Sequence, residues 1–147
     1  MLGIIGAMDE EVLKIKEHME QVTVETYAGM EFHRGMLNGK ELVVVRSGIG
    51  KVNAGICSQI LVDKFGVEGI VNTGVAGSLK NAINIGDIVL SSDAVQHDMD
   101  ATGFGDPHGQ IPRMDTFSFK ASEKLIELAK ECCERVNPDI QVFVGRG

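Results

Sequence analysis

Three acids in a row, Asp9-Glu10-Glu11, follow the short apolar run from Leu2 to Met8. Asp9 suits a helix N-cap, and Val12, Ile15 and Met19 recur at i, i+3 and i+7, the spacing of one helical face. The carboxylates therefore fall in a first helical turn, where the macrodipole favours negative charge and keeps an acid ionised. Two uses fit that placement. Acids at helix starts commonly serve capping and solubility, whereas a carboxylate projected into a cleft at the carboxyl end of a strand can act as general base toward water.

Other residue groups invite chemistry and meet their own tests. The run Ser47-Gly48-Ile49-Gly50-Lys51-Val52-Asn53 is Gly-rich, but a dinucleotide fingerprint starting at Gly48 needs glycine where Asn53 stands. A P-loop ending at Gly50-Lys51 needs Ser or Thr where Val52 stands. What remains is a tight turn whose N–H groups face the start of a helix, either a plain connection or a loop that holds a ligand with hydrogen-bond acceptors. His97, Asp98, Asp100 and His108 combine good ligand types for divalent ions, yet their spacing fits no standard metal site, and polar loop residues are the default. The stretch from Met99 to Met114 carries Phe104, Pro107, Ile111 and Pro112, a large apolar load for a loop facing water. Packing on its own domain, a substrate lid and docking on a second subunit all account for it.

The elements that must position these groups alternate between extended and helical patterns. Leu2 to Ile5 reads as a buried strand before the first helix, and extended segments then run over Val22 to Tyr27, Glu31 to Leu37 and Glu41 to Arg46. Asn38-Gly39 is a strong hairpin signal between the last two, so a β-meander is expected. Val52, Ile56 and Ile60 mark a second helix ending before Gly66, Gly69 to Asn72 a short strand, and Thr73 to Leu79 a Gly-rich loop. Asp87 to Ser91 and Ala94 to His97 read as extended, and Leu125, Leu128, Ala129, Cys132 and Val136 as a third helical stripe stopped by Asn137-Pro138. Ile140 to Val144 is a final strand. The alternation predicts an α/β fold with a mixed, twisted central sheet flanked by helices.

Composition bounds the rest. The 147 residues, 44% hydrophobic, match one globular domain over 1–147, with no repeat, low-complexity tract or Pro/Ser linker to mark an internal boundary. Lys and Arg total 14 against 21 Asp and Glu, a net charge of −7 without long blocks of either sign. A nucleic-acid partner, which needs a concentrated cationic face, is not expected. Cys57, Cys132 and Cys133 have neither an even count nor CxxC spacing, which points away from disulfides and thiolate zinc and toward a reducing compartment. The apolar start is short, lacks a basic flank and meets three acids at once, so neither a signal peptide nor a membrane span is expected and the location read is cytoplasmic. The chain stops at Gly145-Arg146-Gly147 directly after an apolar strand, where a doubly wound sheet would continue, and a domain incomplete at its C-terminus is expected.

Five blocks, taken together, carry a resemblance: Gly3-Ile4-Ile5-Gly6-Ala7-Met8-Asp9-Glu10-Glu11, Ser47-Gly48-Ile49-Gly50-Lys51-Val52, Asn72-Thr73-Gly74-Val75-Ala76-Gly77, Ile85-Gly86-Asp87-Ile88-Val89 and His97-Asp98-Met99-Asp100-Ala101-Thr102-Gly103-Phe104-Gly105. In order and with similar gaps, they resemble the 5′-methylthioadenosine/S-adenosylhomocysteine nucleosidases of the nucleoside phosphorylase/nucleosidase superfamily. The resemblance implies a nucleoside phosphorylase-like fold and a homodimeric hydrolase without cofactor or metal, releasing adenine from nucleosides with a 5′-thioether.

By the same resemblance Glu11 is the base that orients and deprotonates the attacking water. Ile49 packs on the substrate, Ala7 and Met8 with Val75, Ala76 and Gly77 border ribose and water, and Ala101 lines the site. Phe104 and Pro112 match positions that cover the partner subunit's 5′-substituent pocket. Many members carry serine where Val75 stands, a hydroxyl that helps hold the water. The family's ribose-binding glutamate and its aspartate general acid fall beyond Gly147, so little or no turnover is expected of these 147 residues alone. The alternatives are a futalosine-type nucleosidase, a purine nucleoside phosphorylase, or a non-catalytic dimerisation or ligand-binding unit. The phosphorylase is disfavoured because the Thr73 to Leu79 loop has no arginine for phosphate.

Overall fold

A computed structural model describes residues 1–146 and shows two compact units, Met1–Gly77 and a second from Ser78 onward. The first unit is a five-stranded mixed sheet in the order β2-β3-β4-β1-β5. Its strands are β1 (Leu2–Gly6), β2 (Glu20–Tyr27), β3 (Met30–Leu37), β4 (Lys40–Arg46) and β5 (Gly69–Asn72). Strand β1 lies between β4 and β5 and is parallel to both, while β2, β3 and β4 form the antiparallel meander. Asn38 and Gly39 both have positive φ, 49° and 73°, as a two-residue hairpin turn demands.

Strand alternation divides the core between two helices. From β4, Val43 and Val45 join Ile5, Phe32, Cys57, Leu61 and Phe65 on one face, whereas Leu42 and Val44 join Val12 and Met19 on the other. Helix α2 (Lys51–Phe65) covers the first face and α1 (Asp9–Glu17) the second. A strand apolar at four consecutive positions is what a sheet covered on both faces requires. Gly3 lets α2 sit close to β1, since a Cβ there would lie 2.9 Å from Leu61 Cδ1.

Two local expectations are corrected. Met8, in extended conformation, is the N-cap of α1, and Asp9 is its first helical residue, paired instead with Arg46 Nε at 3.1 Å. In α2 the buried stripe is Cys57, Leu61 and Phe65, one residue along from Val52, Ile56 and Ile60. Ile60 of the expected stripe packs against the same core, whereas Val52 and Ile56 are exposed; both stripes repeat at i, i+4, i+8, and only the tertiary contact selects between them.

The second unit, taken by itself, pairs β6 (Ile88–Ser91) in parallel with β9 (Val142–Gly145) and β7 (Asp93–Ala94) with β8 (Phe119–Lys120) in antiparallel fashion. The extended stretch expected over Ala94 to His97 reduces to Asp93–Ala94, the remainder making irregular turns. Helix α3 (Glu123–Val136) packs on β6 and β9 and is capped by Ser122, whose Oγ accepts from Leu125 N. Its less exposed face includes Leu125, Ala129 and Cys132 as expected, together with Ile126 and Cys133, whereas Leu128 and Val136 are exposed. Arg146 grips Asp93 through two bonds, Nε to Oδ1 at 3.0 Å and Nη2 to Oδ2 at 2.7 Å, and these with the Ser118 and Ser92 hydroxyls hold the Asp93 carboxyl down at about 2. No helix among the described residues is long and apolar enough to cross a membrane.

Candidate active site

The parallel strands β1, β4 and β5 end side by side, Gly6 opposite Arg46 and Ile5 opposite Asn72. Carboxyl ends of parallel strands are where α/β sheets place ligands, and each of these three strands is followed by one of the loops singled out from the sequence. Backbone bonds continue past the strands and tie the loops together. Ser47 N donates to Gly6 O at 2.9 Å and Thr73 N to Ile5 O at 2.9 Å. Ser47 is buried, with its hydroxyl 2.9 Å from Gly48 O.

Glu11 stands at this end of the sheet. Its Oε2 accepts from Ala7 N at 2.7 Å and from Met8 N at 3.0 Å, and its Oε1 accepts from Val75 N at 3.1 Å. The bond to Met8 alone is ordinary helix capping, an N3 glutamate reaching back to the N-cap amide. The bonds to Ala7 and to Val75 go beyond capping and join the turn after β1 to the loop after β5. Amides pointed at the charged form favour it, so the Met8, Val75 and Ala7 N–H groups hold the Glu11 carboxyl below the usual glutamate range against a smaller opposing effect of desolvation.

Two glycines make room for the carboxylate. A Cβ at Gly74 would lie 2.5 Å from Glu11 Oε1, and one at Gly6 would lie 2.7 Å from Val12 Cγ1 and 3.0 Å from Glu11 Cβ. The sequence marks the loops as Gly-rich but carries no sign of which glycine faces which acid, because the partners lie far apart along the chain. Gly48 and Gly50 have φ of 83° and 100°, the left-handed region that favours glycine, and shape the turn leading into α2.

Of the residues expected to form the site, Ala7, Met8 and Val75 touch Glu11 through their backbone amides. Val75 contributes through its N–H while its side chain is 82% exposed, so the link to Glu11 does not depend on which side chain stands there. Ala76 and Gly77 continue that loop, and Ile49, 76% exposed, lies on the loop after β4. Ala101, Phe104 and Pro112 belong to the second unit. Ala101 is buried there and accepts the Phe104 N–H in a short 3-10 turn, with Phe104 94% exposed and Pro112 also exposed.

The residues that resembled a metal set are engaged in shaping their own loop. His108 Nε2 lies 2.7 Å from His97 O, and Asp100 Oδ1 accepts from Thr102 N at 3.0 Å and from Thr102 Oγ1 at 2.6 Å. Among the described residues no group of three or more His, Cys, Asp and Glu is placed to hold a metal ion.

Known proteins similar to this chain include 5′-methylthioadenosine/S-adenosylhomocysteine nucleosidases. The 5′-methylthioadenosine/S-adenosylhomocysteine nucleosidase of Bacillus cereus (strain B4264) is 43% identical over 144 residues, 98% of this chain and 62% of that protein. The crystal structure of the Colwellia psychrerythraea 34H nucleosidase in complex with adenine aligns at a TM-score of 0.92 with 40% identity, covering 99% of this chain and 61% of that one. The Neisseria meningitidis nucleosidase bound to methylthio-immucillin-A aligns at 0.93 with 34% identity and similar coverage, 99% and 62%. The chain thus spans about three-fifths of the length of the relatives it matches. The sequence family described as the Phosphorylase superfamily matches residues 1–146, and with the mixed sheet, the loops at its carboxyl edge and these alignments in agreement, the chain belongs to that superfamily.

Proposed function

We propose that this chain supplies the water-activating part of a site that hydrolyses the N-ribosidic bond of 5′-methylthioadenosine and S-adenosylhomocysteine, releasing adenine and the thioribose. The observation that carries the reading is the Glu11 carboxylate, fixed by three backbone amides at the carboxyl ends of β1 and β5. A carboxylate offers about four lone-pair positions. Oε2 uses two on Ala7 and Met8 and Oε1 one on Val75, which leaves one position on Oε1 to accept from a water.

A carboxylate held ionised is a weak base, and the reaction suits one. Cleavage of an N-riboside passes through an oxocarbenium-like state, so the sugar becomes strongly electrophilic before water attacks and little proton transfer is needed early. Glu11 then orients the water, stabilises the nearby cation and takes the proton as the new C–O bond forms. Protonating the departing purine is a second task, which by the family resemblance falls to residues outside this chain. Relatives crystallised with adenine and with methylthio-immucillin-A support the adenine-nucleoside class. Arg46, at the end of β4, is engaged with Asp9, which favours water over phosphate as the acceptor.

The single family match running through both units supports reading residues 1–147 as one domain. The exposed Phe104 and Pro112 support a homodimer in which each subunit covers its partner's 5′-substituent pocket. The test is a chimera carrying the Bacillus cereus relative's remaining sequence, assayed for adenine release from 5′-methylthioadenosine beside the 147-residue chain. Release by the chimera without phosphate is expected. A folded chimera that needs phosphate is a phosphorylase, and one that binds adenine without turnover is a binding module; either result overturns the hydrolase.

A further inference from the structure

We infer that Gly74 is a positioning residue: by having no side chain it leaves the slot in which the Glu11 carboxylate bonds the Val75 amide. A Cβ at Gly74 would meet Glu11 Oε1 at 2.5 Å, Cδ at 3.0 Å and Oε2 at 3.4 Å. Those three carboxyl atoms are its nearest neighbours, and all lie at the end of a flexible side chain. Gly74 has no positive φ to require glycine on backbone grounds.

The conflict created by any larger residue therefore resolves in one direction. The backbone is anchored, with Thr73 N bonded to Ile5 O at 2.9 Å, so the Glu11 side chain moves. It can rotate away from Gly74, giving up Val75 N at 3.1 Å, while the helix around Val12 and the sheet beneath stay packed. Gly6 differs in this respect. A Cβ there would press on Val12 Cγ1 at 2.7 Å, and Val12 is fully buried, so that glycine serves the core as much as the carboxylate. Gly74 serves the carboxylate.

The catalytic meaning of this slot rests on the nucleosidase reading of Glu11, but the slot itself can be tested without any turnover. The 147-residue chain and its Gly74→Ala variant, labelled with 13C at glutamate carboxyls and 15N at amides, are titrated by NMR, with Glu11→Gln assigning the Glu11 signal. In the parent the Glu11 carboxyl titrates below the ordinary glutamate range, and the Val75 amide shift follows the same midpoint. In Gly74→Ala the melting temperature stays near the parent's, the Glu11 midpoint moves up toward the ordinary glutamate range, and the Val75 amide no longer follows it. An unchanged Glu11 midpoint with the Val75 amide still coupled overturns the inference. So does a variant that fails to fold, since the glycine would then be serving the fold. A moved midpoint alongside a chimera that releases no adenine would keep the slot and remove the nucleosidase reading.

Discussion

The Val75 amide donates to Glu11 Oε1 at 3.1 Å across 64 positions of sequence. This bond joins the first turn of α1 to the loop after β5, so the carboxylate's position reports on the assembly of β1 between β4 and β5 as well as on its own helix. A side chain that caps its own helix and is also held by a distant amide has little freedom left, which is the preorganisation a water-orienting base requires.

Replacing that carboxylate should separate binding from chemistry. Glutamine keeps the shape of Glu11 but presents an NH2 group where the backbone amides offer only donors, so it cannot satisfy all three or accept a proton. In the chimera with the Bacillus cereus relative, Glu11→Gln should lower kcat by about 10²–10⁴-fold while adenine binding is retained, measured by adenine release and by calorimetry. Near-normal turnover in that variant would sink Glu11 as the base.

The same three amides make stability depend on pH. The folded chain holds the Glu11 carboxyl below the ordinary value of 4.5, so between the two values the unfolded chain binds more protons. The stabilisation is fully present above the ordinary glutamate range and is lost as pH falls through the folded value. Unfolding by urea across this acid range should show the parent losing its advantage over Glu11→Gln as pH drops. A constant difference between them would contradict the hydrogen-bond cause.

Close packing of α2 on β1 predicts non-additive mutations. Leu61→Ala empties a fully buried site and should cost about 2–5 kcal/mol. Gly3→Ala forces a methyl against Leu61 Cδ1 and should cost about 1–3 kcal/mol. The double variant should lose less than the sum, because the new methyl enters the space that Leu61 vacates. Strict additivity in urea unfolding would mean that the two residues do not touch.

The β2–β3 hairpin turns on Ala28 and Gly29, with φ of 50° and 75°. Positive φ is costly for alanine and tolerated by asparagine. Ala28→Asn should stabilise the chain by about 1 kcal/mol, and Ala28→Val should destabilise it, both read as shifts of the urea midpoint. A stabilising valine would show that the turn is not held in this conformation.

Much of this protein was legible before any coordinates. The segment from Glu41 to Arg46 reads as a strand, Asn38-Gly39 as a tight hairpin, and the acids at Asp9 to Glu11 as a helix start, because each pattern is set by interactions a few residues apart. The five blocks identified the family, and the resemblance they carry is the ground on which Glu11 is proposed as the base. What only the tertiary structure decided are choices between equivalent local patterns and contacts across long separations. Val52-Ile56-Ile60 and Cys57-Leu61-Phe65 have the same helical period, and the sheet face chose the second. Nor does the spacing of Gly74 reveal that it faces Glu11, or that Val75 acts through its amide, since strand β5 must first pair beside β1 for that loop to reach the helix start. Local sequence sets periodicity and turn chemistry; the packing of β1 between its two parallel neighbours determines which amides surround the carboxylate.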